Sequence, residues 1–217
     1  MTQQTSSAWI KICGLRDATS VEQCLALQVH AIGFVFASSV RQVSIEAALR
    51  LAEPARGRAQ IVAVVRGVTP ELDTIIKEFD PDLLQIDYAD PSVNAWVKGD
   101  VSVMGCATPR AVLPVMREGD PRPARWPSML LYEGHESGMG RLADWSQAAA
   151  WARQSRLVLA GGLNATNVGD AIRAVHPFGV DVSSGVERER GVKCPERIKE
   201  FVMAVRVATC TMQEQGS

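Results

Sequence analysis

The sequence has few of the residues that build metal centres and disulfide frameworks. Its five cysteines are scattered without a Cys-x-x-Cys pair, and it contains only three histidines. This pattern favours neither a zinc site nor disulfide bonds, and it is typical of a protein from a reducing compartment. A single cysteine can still act as a catalytic thiol.

Strong charge and long apolar runs are also missing. The formal net charge of −1 provides no general positive field for nucleic acid or an anionic membrane, so a bound anion has to be held by local groups. No apolar run is long enough to cross a bilayer, and the polar start MTQQTSS lacks the basic and apolar regions of a signal peptide. We therefore expect a cytoplasmic protein without nucleic-acid or membrane partners.

Short apolar runs of the kind buried in parallel sheets recur along the chain. They are WIKIC (9–13), AIGFVF (31–36), QIVAVV (60–65), DLLQI (82–86), VSVMGC (101–106), SMLLYE (128–133), RLVLA (156–160) and GVDV (179–182). The segments between them predict helices over 20–29, 45–52, 72–79, 92–97, 108–116 and 145–153, a further helix opening near Asn164 or Ala165, and a last one over 195–207. The proline-rich EGDPRPARWP (118–127) predicts a surface loop.

This alternation predicts an α/β fold, a single-domain (β/α)8 TIM barrel. Each parallel strand needs a crossover connection, and closing the sheet removes both of its edges. The 217 residues fit the short end of the range for such barrels. We predict a flexible N-terminus over 1–8, the barrel over 9–207 and a flexible tail over 208–217. A doubly wound open sheet is the alternative, although it more often carries its phosphate-binding glycines after the first strand.

Two turns of small residues follow the last two predicted strands. Glycine lets the backbone approach a ligand closely, and serine adds a hydroxyl donor. In a TIM barrel the loops after strands seven and eight build the phosphate site. We therefore predict that phosphate is bound by Gly161, Gly162, Ser183, Ser184 and Gly185.

The same fold brings other reactive side chains to one mouth, because each follows a strand. These are Cys13, Arg41, Asp87, Glu133 and Asp181. One thiol, three carboxylates and an arginine opposite a phosphate site can transfer protons on a sugar phosphate without a metal or organic cofactor. Cys13 could instead be a buried apolar residue and Glu133 a solvated charge. A carboxylate within GVDV, however, has to be paired or hydrogen-bonded.

Five segments from the first predicted strand onward match one known family. They are IKICGL (10–15), AIGFVFASSVRQVS (31–44), Asp144-Trp145, LAGGLNATNV (159–168) and GVDVSSGVERERGVK (179–193). With them the chain resembles the phosphoribosylanthranilate isomerases of tryptophan biosynthesis. The resemblance implies a cofactor-free Amadori rearrangement of N-(5-phosphoribosyl)anthranilate to 1-(o-carboxyphenylamino)-1-deoxyribulose 5-phosphate. A small phosphorylated substrate is then the partner, and a monomer or a homodimer is expected.

The resemblance also implies roles for individual residues. The cysteine of the family's KICG motif is the general base, which corresponds to Cys13. An aspartate after the sixth strand is the general acid. Arg41 would bind the anthranilate carboxylate and Asp181 would lie against the substrate, while the AGGL and SSG motifs bind phosphate.

The segment of the general acid departs from the family pattern, which reads Leu-Leu-Asp. This chain reads LLYEGHESGMGRLADW (130–145). An alignment backward from the Asp-Trp pair places Glu133 at the position of the acid, whereas an alignment forward from the Leu-Leu pair places Tyr132 there. Glu133 is preferred because it preserves a carboxylate. Asp87 replaces a substrate-facing histidine, and Val65-Arg66-Gly67 replaces a Phe-Val-Asn ending of the third strand. A barrel that acts on another phosphorylated sugar or amine adduct, or an inactive phosphate-binding barrel, is the alternative.

Overall fold

Eight parallel strands close into a barrel in sequence order. The computed structural model describes residues 8–89, 93, 109–134 and 143–215. The strands are β1 (Trp9–Cys13), β2 (Ala31–Val35), β3 (Gln60–Val64), β4 (Leu83–Asp87), β5 (Val112–Arg117), β6 (Met129–Glu133), β7 (Arg156–Leu159) and β8 (Gly179–Val182). Strand β1 pairs with both β2 and β8, which closes the ring. The predicted TIM barrel is confirmed.

Helices cover much of the outside of the barrel. They are α1 (Ala18–Ala26), α2 (Ile45–Ala52), α3 (Leu72–Thr74, continued by a π-helical turn at Ile75–Phe79), α4 (Trp145–Ala152), α5 (Val168–Val175) and α6 (Pro195–Gln215). The side chains of Asp17, Ser44 and Asp144 cap α1, α2 and α4, because each accepts a hydrogen bond from a backbone N–H of the first turn. No helix in the described ranges is both long and apolar enough to span a membrane.

Helix α6 is longer than predicted. It continues past Val207 to Gln215, and Ala208 is buried in the core. A short 3-10 helix (Ser184–Val186) and a hairpin of β9 (Glu187–Glu189) and β10 (Val192–Lys193) connect β8 to it.

The segment predicted as the fifth helix is the fifth strand, so that prediction was wrong. Its apolar side chains alternate: Leu113 and Val115 belong to the cluster inside the barrel, whereas Met116 belongs to the cluster that includes helical residues. A period of two is the signature of a strand. The predicted strand at 101–106 and helix at 92–97 lie outside the described residues. The loop predicted at 118–127 is confirmed.

The barrel interior is apolar at the bottom and polar at the top. Its apolar cluster consists of Trp9, Ala31, Val62, Leu83, Leu113, Val115, Leu131, Val158 and Ala160. Further toward the carboxyl ends of the strands, the buried residues include Lys11, Gln85 and Asp181. The apolar layer therefore forms a floor, and the polar residues above it face the mouth.

Candidate active site

A cavity of about 260 Å³ opens at the carboxyl ends of the strands. Nearly all the predicted site residues line it: Cys13, Arg41, Asp87, Glu133, Gly161, Gly162, Asp181, Ser183 and Ser184. Gly185 does not line the cavity. Three arginines that were not assigned to the site from sequence, Arg66, Arg117 and Arg190, also line it.

The loops after β7 and β8 meet at one wall of the cavity. Gly161 and Gly162 have φ angles of 88° and 67°, a left-handed conformation that glycine adopts without strain. A Cβ atom on Gly185 would lie 1.9 Å from the carbonyl oxygen of Leu163, so only glycine allows the two loops to approach this closely. Gly185 therefore shapes this wall by allowing the close contact of the two loops, although it does not line the cavity.

Cys13 ends β1 beside a buried ion pair. Nζ of the fully buried Lys11 lies 2.8 Å from Oδ1 of Asp181 on the neighbouring strand β8. Burial opposes the charge of Lys11, but Asp181 and Cys13 outweigh it and raise the pKa of Lys11. Burial raises the pKa of the Cys13 thiol, and the positive charges of Lys11 and Lys193 oppose this rise. The thiol is therefore buried but has cations nearby that favour its thiolate.

Arg41 is held by a second buried cluster. Its Nε and Nη2 atoms donate to the two carboxylate oxygens of Glu187 at 2.7 and 2.9 Å. Nζ of Lys193 lies 2.7 Å from Glu187 and donates to the carbonyl oxygen of Ser183 at 2.9 Å. Burial opposes ionisation of Glu187, but the contacts with Arg41, Lys193 and the Gly191 N–H lower its pKa to about 2. This cluster connects the Arg41 loop to the β8 loop.

A third group of charges lies on the opposite wall. Arg117, at the end of β5, places Nη2 2.8 Å from Oδ1 of Asp87 on β4 and 3.1 Å from Oε1 of Glu133 on β6. One guanidinium therefore joins two of the carboxylates that were predicted to face the mouth.

Tyr132 points away from the cavity. Its hydroxyl donates to Oε1 of Gln147 on α4 at 2.6 Å, and its ring packs edge-on against Trp151. Burial raises the pKa of Tyr132, so the hydroxyl stays neutral. Because neighbouring residues of a strand face opposite sides, Glu133 is the residue of this pair that reaches the mouth.

Several polar residues that line or underlie the cavity were missed from sequence. Lys11 could have been found, because it lies two residues before Cys13 on one strand and so shares its face. Arg117 was missed because its segment was assigned to a helix and the loop after it. The contacts of Glu187 and Lys193 had no sequence signal. Among the described residues, no three His, Cys, Asp or Glu side chains are grouped to hold a metal ion.

The fold and the cavity define a TIM barrel whose mouth joins a thiol, carboxylates and arginines. The sequence model of N-(5'-phosphoribosyl)anthranilate isomerase matches residues 10–204. The chain therefore belongs to this family. The enzyme of that name from Allorhizobium ampelinum is 37% identical over an alignment of 229 positions, which covers 96% of this chain and 97% of the relative. Its counterpart from Chelativorans sp. is 37% identical over an alignment of 212 positions, which covers 92% of this chain and 96% of the relative.

Solved structures give the same result. TrpF from Jonesia denitrificans superposes with a TM-score of 0.77 and 31% identity, covering 94% of this chain and 99% of that chain. A phosphoribosyl anthranilate isomerase in complex with reduced 1-(o-carboxyphenylamino)-1-deoxyribulose 5-phosphate superposes with a TM-score of 0.74 and 26% identity, covering 92% and 99%.

Proposed function

We propose that this protein isomerises N-(5'-phosphoribosyl)anthranilate to 1-(o-carboxyphenylamino)-1-deoxyribulose 5-phosphate, a step of tryptophan biosynthesis. The observation that carries the proposal is the composition of the cavity. Its walls combine the Cys13 thiol and the Glu133 carboxyl group with the β7 and β8 loops and several arginines. Membership of the isomerase family over nearly the whole chain supports the same reaction. No observation favours another phosphorylated substrate or an inactive barrel.

The chemistry needs one acid and one base. Glu133 donates a proton to the furanose ring oxygen, the bond from this oxygen to C1 breaks, and an iminium ion remains. The thiolate of Cys13 then removes the proton from C2, which the neighbouring iminium makes acidic. The resulting enolamine tautomerises to the ketone. Lys11 assists because its charge favours the thiolate.

The charges of the mouth suit a substrate with a phosphate and a carboxylate. Glu187 occupies one edge of the Arg41 guanidinium, which leaves the Nη1 edge to bind the anthranilate carboxylate. The β7 and β8 loops bind the phosphate through backbone N–H groups and the hydroxyls of Ser183 and Ser184. Asp181, held by Lys11, lies against the sugar.

The test is the loss of anthranilate-adduct fluorescence with the substrate generated in situ. Cys13→Ala and Glu133→Gln should each lower kcat at least about a hundredfold, the usual contribution of a general acid or base. Cys194→Ala and Glu200→Gln, outside the cavity, are matched controls and should keep wild-type rates. Folded wild-type protein that neither turns over the adduct nor complements a tryptophan auxotroph would refute the proposal.

We further propose that the enzyme acts in the cytoplasm as a monomer or homodimer, without nucleic-acid or membrane partners. The small net charge of −1 supports the absence of a polyanionic partner. Analytical ultracentrifugation decides between monomer and homodimer.

A further inference from the structure

Arg117 lies between two carboxylates at the ends of adjacent strands. Glu133 is its register partner on β6, and Asp87 is the partner of Val115 on β4. The same nitrogen, Nη2, approaches Oδ1 of Asp87 at 2.8 Å and Oε1 of Glu133 at 3.1 Å. Because this nitrogen carries only two hydrogens, the two carboxylates share it.

Two backbone N–H groups at the end of β5 make hydrogen bonds that hold Arg117 next to Glu133. The N–H of Arg117 donates to Oδ2 of Asp120 at 2.7 Å, and the N–H of Glu118 donates to the carbonyl oxygen of Glu133 at 3.0 Å. In the described part of the chain, the charged groups that act on Arg117 are Asp87 from β4, Glu133 from β6 and Asp120 from the turn after β5. Charged groups from three elements therefore act on Arg117.

The shared guanidinium has a consequence for proton transfer. A guanidinium paired with one carboxylate alone would favour its ionised form, which cannot act as an acid. A second carboxylate, Asp87, competes for the same guanidinium and weakens its preference for the ionised form of Glu133. Asp87 has the shorter contact, and the side chain of Glu133 is less exposed, 10% against 22%. Burial opposes the charged form of a carboxyl group, so the lower exposure of Glu133 and the competition from Asp87 both act in favour of its protonated form.

We propose that Arg117 is a positioning residue for Glu133: its guanidinium, shared with Asp87, fixes where the Glu133 carboxyl points and how readily it holds a proton. The catalytic part of this inference rests on the proposed function, in which Glu133 is the general acid. The electrostatic part does not, and it can be measured without activity.

The electrostatic part is tested by NMR titration of the carboxyl groups in protein with ¹³C-labelled glutamate, with Glu133→Gln to assign the signal. Arg117→Met removes the cation and should raise the titration midpoint of Glu133 by about one pH unit. Asp87→Asn removes the competing anion and should lower it by about one pH unit. Arg117→Lys keeps the charge and should leave the midpoint near its wild-type value.

Opposite shifts in the first two variants support the proposal, whereas no shift, or shifts of the same sign, overturns it. If Arg117→Met does not fold, Asp87→Asn alone decides: a lower midpoint supports the proposal, and an unchanged or higher one overturns it. The activity assay of the wild type separates failure of the proposed function from failure of this inference. An inactive wild type whose variants show opposite titration shifts would refute the isomerase activity but support the charge arrangement.

The positioning part is tested by kinetics of Arg117→Lys. The lysine retains the charge but not the planar fork, so the carboxyl should be misplaced and kcat should fall at least about tenfold. KM should stay within about twofold, because Arg117 does not hold the substrate in this proposal. A rise in KM with unchanged kcat would overturn it and make Arg117 a binding residue.

Discussion

Replacement of Glu187 by glutamine should destabilise the protein because it leaves two cations, Arg41 and Lys193, without their shared carboxylate. The pKa of Glu187 is lowered from 4.5 to about 2 in the folded protein. At about 1.4 kcal/mol per pKa unit, this shift corresponds to about 3 kcal/mol of unfolding free energy at pH 7. The loss after removal of one partner of a buried ion pair has the same order.

The pH dependence of this loss has a definite sign. A carboxylate whose pKa is lowered by folding stabilises the protein above the unfolded pKa, and this contribution disappears as the pH falls through the folded pKa. The difference between wild type and Glu187→Gln should therefore be complete above about pH 5 and shrink as the pH falls from about 4.5 toward about 2. At pH 3 about half of it should remain.

Urea unfolding followed by circular dichroism at pH 7, 5 and 3 measures this difference. Glu189→Gln, an exposed carboxylate on the same hairpin, is the matched control and should change the free energy by less than about 0.5 kcal/mol. A loss in Glu187→Gln that is equal at pH 7 and pH 3, or no larger than that of the control, would refute the electrostatic reasoning.

Three further substitutions test the surroundings of the thiol and the direction of β6. Lys11→Met should slow alkylation of Cys13 by iodoacetamide about tenfold at pH 8, because it raises the pKa of Cys13 further; mass spectrometry measures the rate. A Cβ on Gly33 would lie 3.1 Å from Sγ of Cys13, so Gly33→Ala should displace the thiol and lower kcat about tenfold. Tyr132→Phe should cost about 1 kcal/mol in urea unfolding through its lost hydrogen bond to Gln147 and leave kcat unchanged. An unchanged alkylation rate, full activity of Gly33→Ala, or inactive but folded Tyr132→Phe would each contradict its prediction.

The barrel could be predicted because its signals are local. Near-continuous apolar runs such as AIGFV, separated by capped helices, need only the nearest residues to be recognised. The exception, β5, shows the limit of this reasoning. Its residues can form a helix or a strand by composition, and pairing with β4 and β6 selects the strand.

Residues at the mouth could be predicted for a similar reason. Once the strands are assigned, the inward-facing residues at their carboxyl ends lie at the same opening, as Cys13 and Glu133 do. The choice between Glu133 and Tyr132 was beyond sequence alignment, because a shift of one residue exchanges the faces of a strand.

The sequence by itself determined the order of strands and helices outside the β5 region, the family resemblance and most residues that reach the mouth. Only the tertiary structure decided how their charges are paired. Lys11 and Asp181 are 170 residues apart, and Arg41 and Glu187 are 146 apart. Such partners meet because the barrel closes and places particular strands side by side, and the strength of each pair depends on burial that no local pattern records.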